Sequence, residues 1–256
     1  MRRAVLLTIS LLLVATATAQ AATEPVLRIV FPEGLTARQM ADQAAHVRRI
    51  AIAERGVTPR LSGASYAAAT AAAHPPAAFR PFLKRRTVEG FLFPALYEFG
   101  PSTSAASLVA LQLETFSRRW STVDLRAARA RGRTPYDVLT IASLVEKETV
   151  AKEERALVAA VVYNRLERRM PLAIDASLRY GLGIQGTRPI KRSHLQSDTP
   201  YNTHRFQGLP PTPIANPGLP SITAAAKPAR VDYLYYVRKP DGVHHFFTAS
   251  EPAFCQ

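Results

Sequence analysis

The stretch from Thr134 to Thr149, Thr-Pro-Tyr-Asp-Val-Leu-Thr-Ile-Ala-Ser-Leu-Val-Glu-Lys-Glu-Thr, constrains this chain more than any other. Thr134 offers a hydroxyl at the N-cap, Pro135 falls at N1 and Asp137 places an acid at N3, so the start of a helix is over-determined. From Leu139 to Val145 the helix is almost wholly apolar, and Glu146 comes at its end. Loss of hydration penalises the charged form of a carboxyl group, which is how such a group stays protonated near neutral pH and donates a proton. Around the helix axis, Tyr136, Thr140, Ser143 and Lys147 form a polar strip. Glu146 lies beside that strip above Leu139 and Ala142, where the small alanine leaves room next to the carboxyl. Glu148 points to the opposite side, near Ile141 and Leu144.

A second helix is expected from about Lys152 to Arg168, with Glu153 and Glu154 at its positive end and Arg165, Arg168 and Arg169 at its negative end. Upstream, Val26 to Phe31 alternates as a strand, Pro32-Glu33-Gly34 turns, and Thr36 caps a helix over Ala37 to Glu54 that Gly56 stops. An alanine-rich helix follows over Ser65 to His74, before Pro75-Pro76 and Pro81 break the pattern. These elements make a module of about 60 residues, assigned to 26–86. Further helices are expected between Ser104 and Arg131, capped by Thr103 or Ser104 and stopped by Gly132. Beyond Met170 the glycines Gly181, Gly183 and Gly186 and the prolines from Pro200 to Pro220 mark ordered loop or linker. Interspersed tyrosine, asparagine and leucine favour ordered loop, and Val231 to Val237 has the composition of a strand.

The N-terminus carries an export signal: Met1-Arg2-Arg3, an apolar run from Ala4 to Val14 interrupted by Thr8 and Ser10, then Ala19-Gln20-Ala21. Counting the alanines to Ala22, residues 1–22 serve either as a cleaved signal or as a single membrane anchor. Cys255 is the one cysteine, so an exported chain folds without an internal disulfide. Of the 256 residues, 47% are apolar and 20% charged, a globular composition able to build a sizeable core. The formal charge is +14, with clusters such as Lys84-Arg85-Arg86 and Arg165 to Arg169. Such a surface either attracts polyanions or merely solvates an alanine-rich protein. Export removes the chain from most nucleic acid, and no zinc spacing or RNA-binding signature is present, so lipid headgroups and cell-wall polymers are the relevant anions.

Glu89-Gly90-Phe91-Leu92-Phe93-Pro94, Ala142 to Thr149 and Val161-Val162-Tyr163-Asn164-Arg165-Leu166 occur in that order. They are followed by Ser197 to Thr203, Gly208 to Gly218 and Ala224 to Ala229. Together they resemble the endolytic murein transglycosylase family, also called YceG-like, over roughly residues 26 to 248. The resemblance implies an α+β protein: a small LysM-like glycan-binding module at 26–86, then a mixed α/β catalytic domain at 87–256. It implies a lyase of the cell inner membrane with its catalytic domain in the periplasm, or a soluble periplasmic protein if residues 1–22 are cleaved. It also implies glycan strands as substrate and peptidoglycan synthases as partners, without cofactor, metal or nucleic acid. Two features depart from the family. Ile174 to Gly181 keeps Asp175, Tyr180 and Gly181 but not the residues usual around them, and the usual closing helix is absent after Thr248.

The family's catalytic glutamate falls on Glu146, which the resemblance makes a general acid at the glycosidic oxygen of N-acetylmuramic acid; an ion pair with Lys147 or an arginine is the plainer alternative. Glu148 is expected to be a structural carboxylate that binds backbone or arginine, a second acid being the alternative. Glu89 either lines the cleft and positions sugar hydroxyls or stabilises a turn. Tyr201 and Asn202, in an irregular segment, suit sugar recognition. Asp175 either orients substrate or the acid, or sits in a turn, and Asn164 either bonds the catalytic segment or bridges buried backbone. His244-His245 lacks a metal-binding helix motif, which points to a strand histidine contacting substrate or core. No serine-nucleophile elbow is present. A non-catalytic wall-binding scaffold and a muramidase-type hydrolase are the rival functions.

Overall fold

The computed structural model describes residues 25–184 and 188–254. The export or anchor segment 1–22, Gly186 and Cys255 therefore lie outside the described residues.

The chain opens with strand β1 (Leu27–Val30), whose alternate residues Leu27 and Ile29 are buried. Helix α1 (Ala37–Arg55) follows, and its start is fixed by a capping box between Thr36 and Gln39. Gly56 ends it at φ 63°, a left-handed conformation that favours glycine. Helix α2 (Gly63–Ala72) begins two residues earlier than the alanine run suggests, because Ser62 and Ser65 form a second capping box. Strand β2 (Leu96–Phe99) then returns antiparallel to β1, with Leu27 opposite Phe99 and Val30 opposite Leu96. The strand that closes this strand-helix-helix-strand unit thus lies beyond the 26–86 boundary drawn from the proline breaks. Its core of Ile29, Phe31, Met40, Leu61 and Tyr66 is completed by Val88 and Leu92 from the loop before β2 and by Leu108 and Val109 of helix α3 (Ala105–Trp120).

After the short helix α4 (Arg126–Ala130), helix α5 (Pro135–Glu148) forms the centre of the second core. Val138, Leu139, Ile141, Ala142, Leu144 and Val145 are fully buried. Most of the polar strip does not face water either: Tyr136, Thr140 and Ser143 are buried while Lys147 at its end is exposed, and the Ser143 hydroxyl donates to Thr140 O at 2.7 Å while accepting from Ile214 N at 3.0 Å. A helix whose middle, from Val138 to Val145, is covered on every side is a core element. The next predicted helix opens as a 3₁₀ turn (Lys152–Glu154), and α6 proper runs Arg155–Glu167.

The glycine- and proline-rich region contains more helix than its composition predicts. Helix α7 (Asp175–Leu182), the single turn α8 (Arg192–Leu195) and α9 (Leu219–Ala226) lie within it, and α9 packs on α5 and α6. Pro220 stands in the first turn of α9, where its missing N–H costs nothing. Strand β3 (Tyr235–Arg238) pairs with β4 (His245–Thr248), and a last turn, α10 (Glu251–Phe254), follows. β3 is shorter than the predicted 231–237 strand because the Asn164 amide on α6 binds Val231 O and Tyr233 O at 2.9 and 2.8 Å. No helix among the described residues is long and apolar enough to cross a membrane.

Candidate active site

Glu146 occupies the last turn of α5, and its side chain is only 7% exposed. Its Oε2 accepts a hydrogen bond from Gly218 N at 3.0 Å. Gly218 is the N-cap of α9, so the carboxyl sits at the positive end of that helix. On the other side, Oε1 lies 3.9 Å from Nη2 of Arg155. Arg155 begins α6, is buried, and is oriented by a bond from Nε to Ser221 Oγ at 3.0 Å. Helices α5, α6 and α9 thus each contribute one fixed group.

A fourth contribution comes from the N-terminal unit. The turn after β1 lays Gly34 over the end of α5: Gly34 N donates to Asn216 O at 2.9 Å, and Lys147 Nζ donates to Gly34 O at 3.2 Å. Gly34 has φ 79°, a backbone conformation in which a side chain would be strained. Beside it, Glu33 Oε2 lies 4.0 Å from the same Arg155 Nη2. The Glu33 carboxyl is held above the usual carboxylate range, first by burial and then by the Glu146 charge, against the opposing pull of Arg155 and Lys152. A Cβ on Gly218 would fall 1.8 Å from Glu33 Oε1, so that position admits only glycine while Glu33 stays in place. In the sequence, Glu33 reads as a turn residue. No spacing rule connects it to Glu146; only the docking of the turn on α5 does so.

Glu89 stands one layer behind. It is 4% exposed, and its two oxygens accept from Ala37 N at 3.0 and 3.2 Å, Asn216 Nδ2 at 2.8 Å and Tyr180 Oη at 3.2 Å. Burial pushes its pKa up to about 7, with those hydrogen bonds offsetting part of the effect. Asn216 is the hub of this layer. Its Oδ1 accepts from Gly90 N and Leu92 N at 2.8 and 2.9 Å, and its Nδ2 donates also to Leu35 O at 2.9 Å. Neither spacing nor composition marked it out beyond its place in the Gly208 to Gly218 motif.

Tyr201 is half-buried; its hydroxyl bonds Thr212 Oγ1 at 2.8 Å and its ring meets Tyr180 edge-on at 5.0 Å. Asn202 is fully buried, donating to Leu195 O and Ser197 O at 2.9 Å each while its Oδ1 accepts from His204 N. Asp175 is largely exposed and pairs with His204 Nε2 at 2.8 Å. Among the residues expected to bind substrate, Glu89 and Tyr201 are thus linked through Asn216 and Tyr180 to the Glu146 layer, whereas Asn202 and Asp175 tie the 195–204 loop together.

Glu148 accepts from Tyr236 Oη at 3.2 Å, and its burial raises its pKa. Asn164 is the bridging amide already described. His245 is buried against Glu154, with Nδ1 to Oε2 at 2.6 Å, so it belongs to the core. Among the described residues, no three or more His, Cys, Asp or Glu side chains converge as metal ligands. A cavity of about 1090 Å³ lies at the far end of α9, lined by Arg131, Asn164, Lys227, Arg230 and Tyr233, and does not include Glu146.

Fold and site define a class of protein built around one carboxyl, oriented and largely removed from water at a helix end, faced by a buried arginine and a second carboxyl. A model of the YceG-like family matches residues 9–253, and the chain belongs to that family. The endolytic murein transglycosylase of Bacillus subtilis strain 168 is 36% identical over 159 residues, 62% of this chain and 44% of that protein. That of Streptococcus pneumoniae R6 is 36% identical over 157 residues, 60% of this chain and 28% of that protein. The chain thus spans less than half the length of these curated relatives. The crystal structure of a yceG-like protein from Listeria monocytogenes superposes with a TM-score of 0.73 at 26% identity, covering 90% of this chain and 75% of that one.

Proposed function

We propose that this chain is an endolytic peptidoglycan lytic transglycosylase that cleaves the glycosidic bond between N-acetylmuramic acid and N-acetylglucosamine. The observation that carries this reading is the Glu146 carboxyl, dehydrated yet oriented by Gly218 N and faced by Arg155. Glu146 protonates the glycosidic oxygen as the bond to C1 of the muramic acid breaks. The resulting carboxylate takes the proton from the C6 hydroxyl, whose oxygen bonds C1 to close a 1,6-anhydro ring. The proton is back on Glu146 at the end and no water is consumed, so one carboxyl suffices where a hydrolase normally uses two. The names of the relatives support the substrate, and the +14 charge suits an anionic wall polymer.

Within this reading, the β1-α1-α2-β2 unit is a LysM-like module that holds glycan, and the chain ends nascent strands beside peptidoglycan synthases. Residues 1–22 anchor it once in the inner membrane with the folded part in the periplasm, or are cleaved to leave it soluble there. The Glu33 carboxyl beside Glu146 favours one second reading, a muramidase-type hydrolase.

Mass spectrometry of glycan strands digested by the purified chain, alongside Glu146→Gln, tests both. Anhydro-ended fragments that fall by about 10²- to 10⁴-fold in the variant are expected. Reducing ends would replace the lyase by the hydrolase, and intact glycan with binding retained would make the chain a wall-binding scaffold.

A further inference from the structure

The turn after β1 carries Glu33 to the same guanidinium that faces Glu146. Arg155 Nη2 lies 3.9 Å from Glu146 Oε1 and 4.0 Å from Glu33 Oε2, so one cation is divided between two carboxyls that differ in their access to water. Glu146 is nearly enclosed, whereas the Glu33 side chain is 44% exposed. Gly218 makes room for Glu33 with its missing Cβ and holds Glu146 with its N–H. Three independent pieces of chain, the 33–34 turn, Arg155 and Gly218, are therefore shaped around the pair. We propose that Glu33 is a positioning residue for the acid: by sharing Arg155, it keeps the guanidinium from pairing with Glu146 alone and so leaves the Glu146 carboxyl able to give up and recover a proton.

The charged groups facing the pair are few. Arg155 comes from α6 and Lys152 from the 3₁₀ turn before it, both acting on Glu33. Lys147, on α5 itself, is turned onto Gly34 O. The Glu33 carboxyl is raised first by burial and then by the Glu146 charge, so the geometry that places both carboxyls at one arginine also lets one act on the other. Removing the charge of Glu33 leaves Arg155 opposed by Glu146 alone, which favours the ionised form of the acid.

This proposal rests on the reading of Glu146 as the proton donor, and its test keeps the two apart. In Glu33→Gln, the high-pH limb of kcat/KM for glycan cleavage should move down by about one pH unit, lowering the rate above neutrality about tenfold with KM little changed. Glu33→Asp should restore part of the shift. Carbon-13 carboxyl titration by NMR supplies a readout that needs no turnover: the Glu33 carboxyl should titrate at lower pH in Glu146→Gln than in the wild type. A wild type without anhydro products would defeat the transglycosylase reading while the NMR coupling still stood. A Glu33→Gln profile superimposable on the wild type, or reduced in height alone, together with an unmoved Glu33 titration, overturns the proposal.

Discussion

Replacing Glu89 by glutamine should change how the stability of this protein depends on pH, and the size of the effect follows from its surroundings. The carboxyl is 4% exposed, and burial raises its pKa from 4.5 to about 7. The folded state therefore holds a proton that the unfolded chain releases between those values, and stability falls as pH rises through that window. At 1.36 kcal/mol per pKa unit, this single group contributes about 3 kcal/mol that is present below pH 4.5 and lost above pH 7. Glutamine keeps the shape and imitates the protonated acid: its oxygen accepts from Ala37 N and Asn216 Nδ2, and its amide can donate to Tyr180 Oη. Urea unfolding at pH 5 and pH 8 would compare the two proteins. Glu89→Gln should lie within about 1 kcal/mol of the wild type near pH 5 and exceed it by about 3 kcal/mol at pH 8. Other groups, Glu33 and Glu148 among them, titrate in both proteins, so the difference between the curves isolates this site. Parallel stability curves from pH 5 to pH 8 would show that the hydrogen bonds from Ala37, Asn216 and Tyr180 hold Glu89 ionised despite its burial, and the reasoning would fail.

Asn216→Ala removes the acceptor of Gly90 N and Leu92 N and the donor to Leu35 O and Glu89 in a fully buried place, and should cost about 4 kcal/mol. A urea-derived cost under about 1 kcal/mol would refute its place as a hub. Asn202→Ala should cost about 2 kcal/mol by orphaning Leu195 O and Ser197 O, with KM for glycan unchanged. A raised KM at unaltered stability would instead place Asn202 on the substrate.

What the sequence reveals here is what short-range chemistry determines. The starts of α1, α3 and α5 are legible because Thr36, Ser104 and Thr134 each bond a backbone N–H three residues on. Glu146 is legible as a candidate because the carboxyls of Glu146 and Glu148 end an otherwise apolar helix, and helical spacing puts Glu146 above the small Ala142. β2 is not legible: four residues with Leu96 exposed become a strand only by pairing with β1, which lies far earlier in the chain. α7 and α9 are hidden by glycine and proline, since Pro220 reads as a break until its place in the first turn is known. Asn202 resembles a sugar-binding amide in sequence because its backbone partners, Leu195 and Ser197, are chosen by the loop's own folding.

Glu33 shows the same limit at the site itself, with a consequence for how the chain divides. A boundary at residue 86 assigns the strand-turn-helix unit to glycan binding and everything after it to catalysis. In the folded chain, the turn of that unit delivers a carboxyl within 4.0 Å of the arginine that faces Glu146, and Gly34 packs where a Cβ would sit 3.5 Å from Glu146 Cγ. β1 in turn depends on β2, which lies on the catalytic side of the boundary. A fragment beginning at residue 87 would therefore keep Glu146, Arg155 and Gly218 while losing both the partner strand of β2 and the second carboxyl. The N-terminal unit is consequently a wall of the candidate site around Glu146.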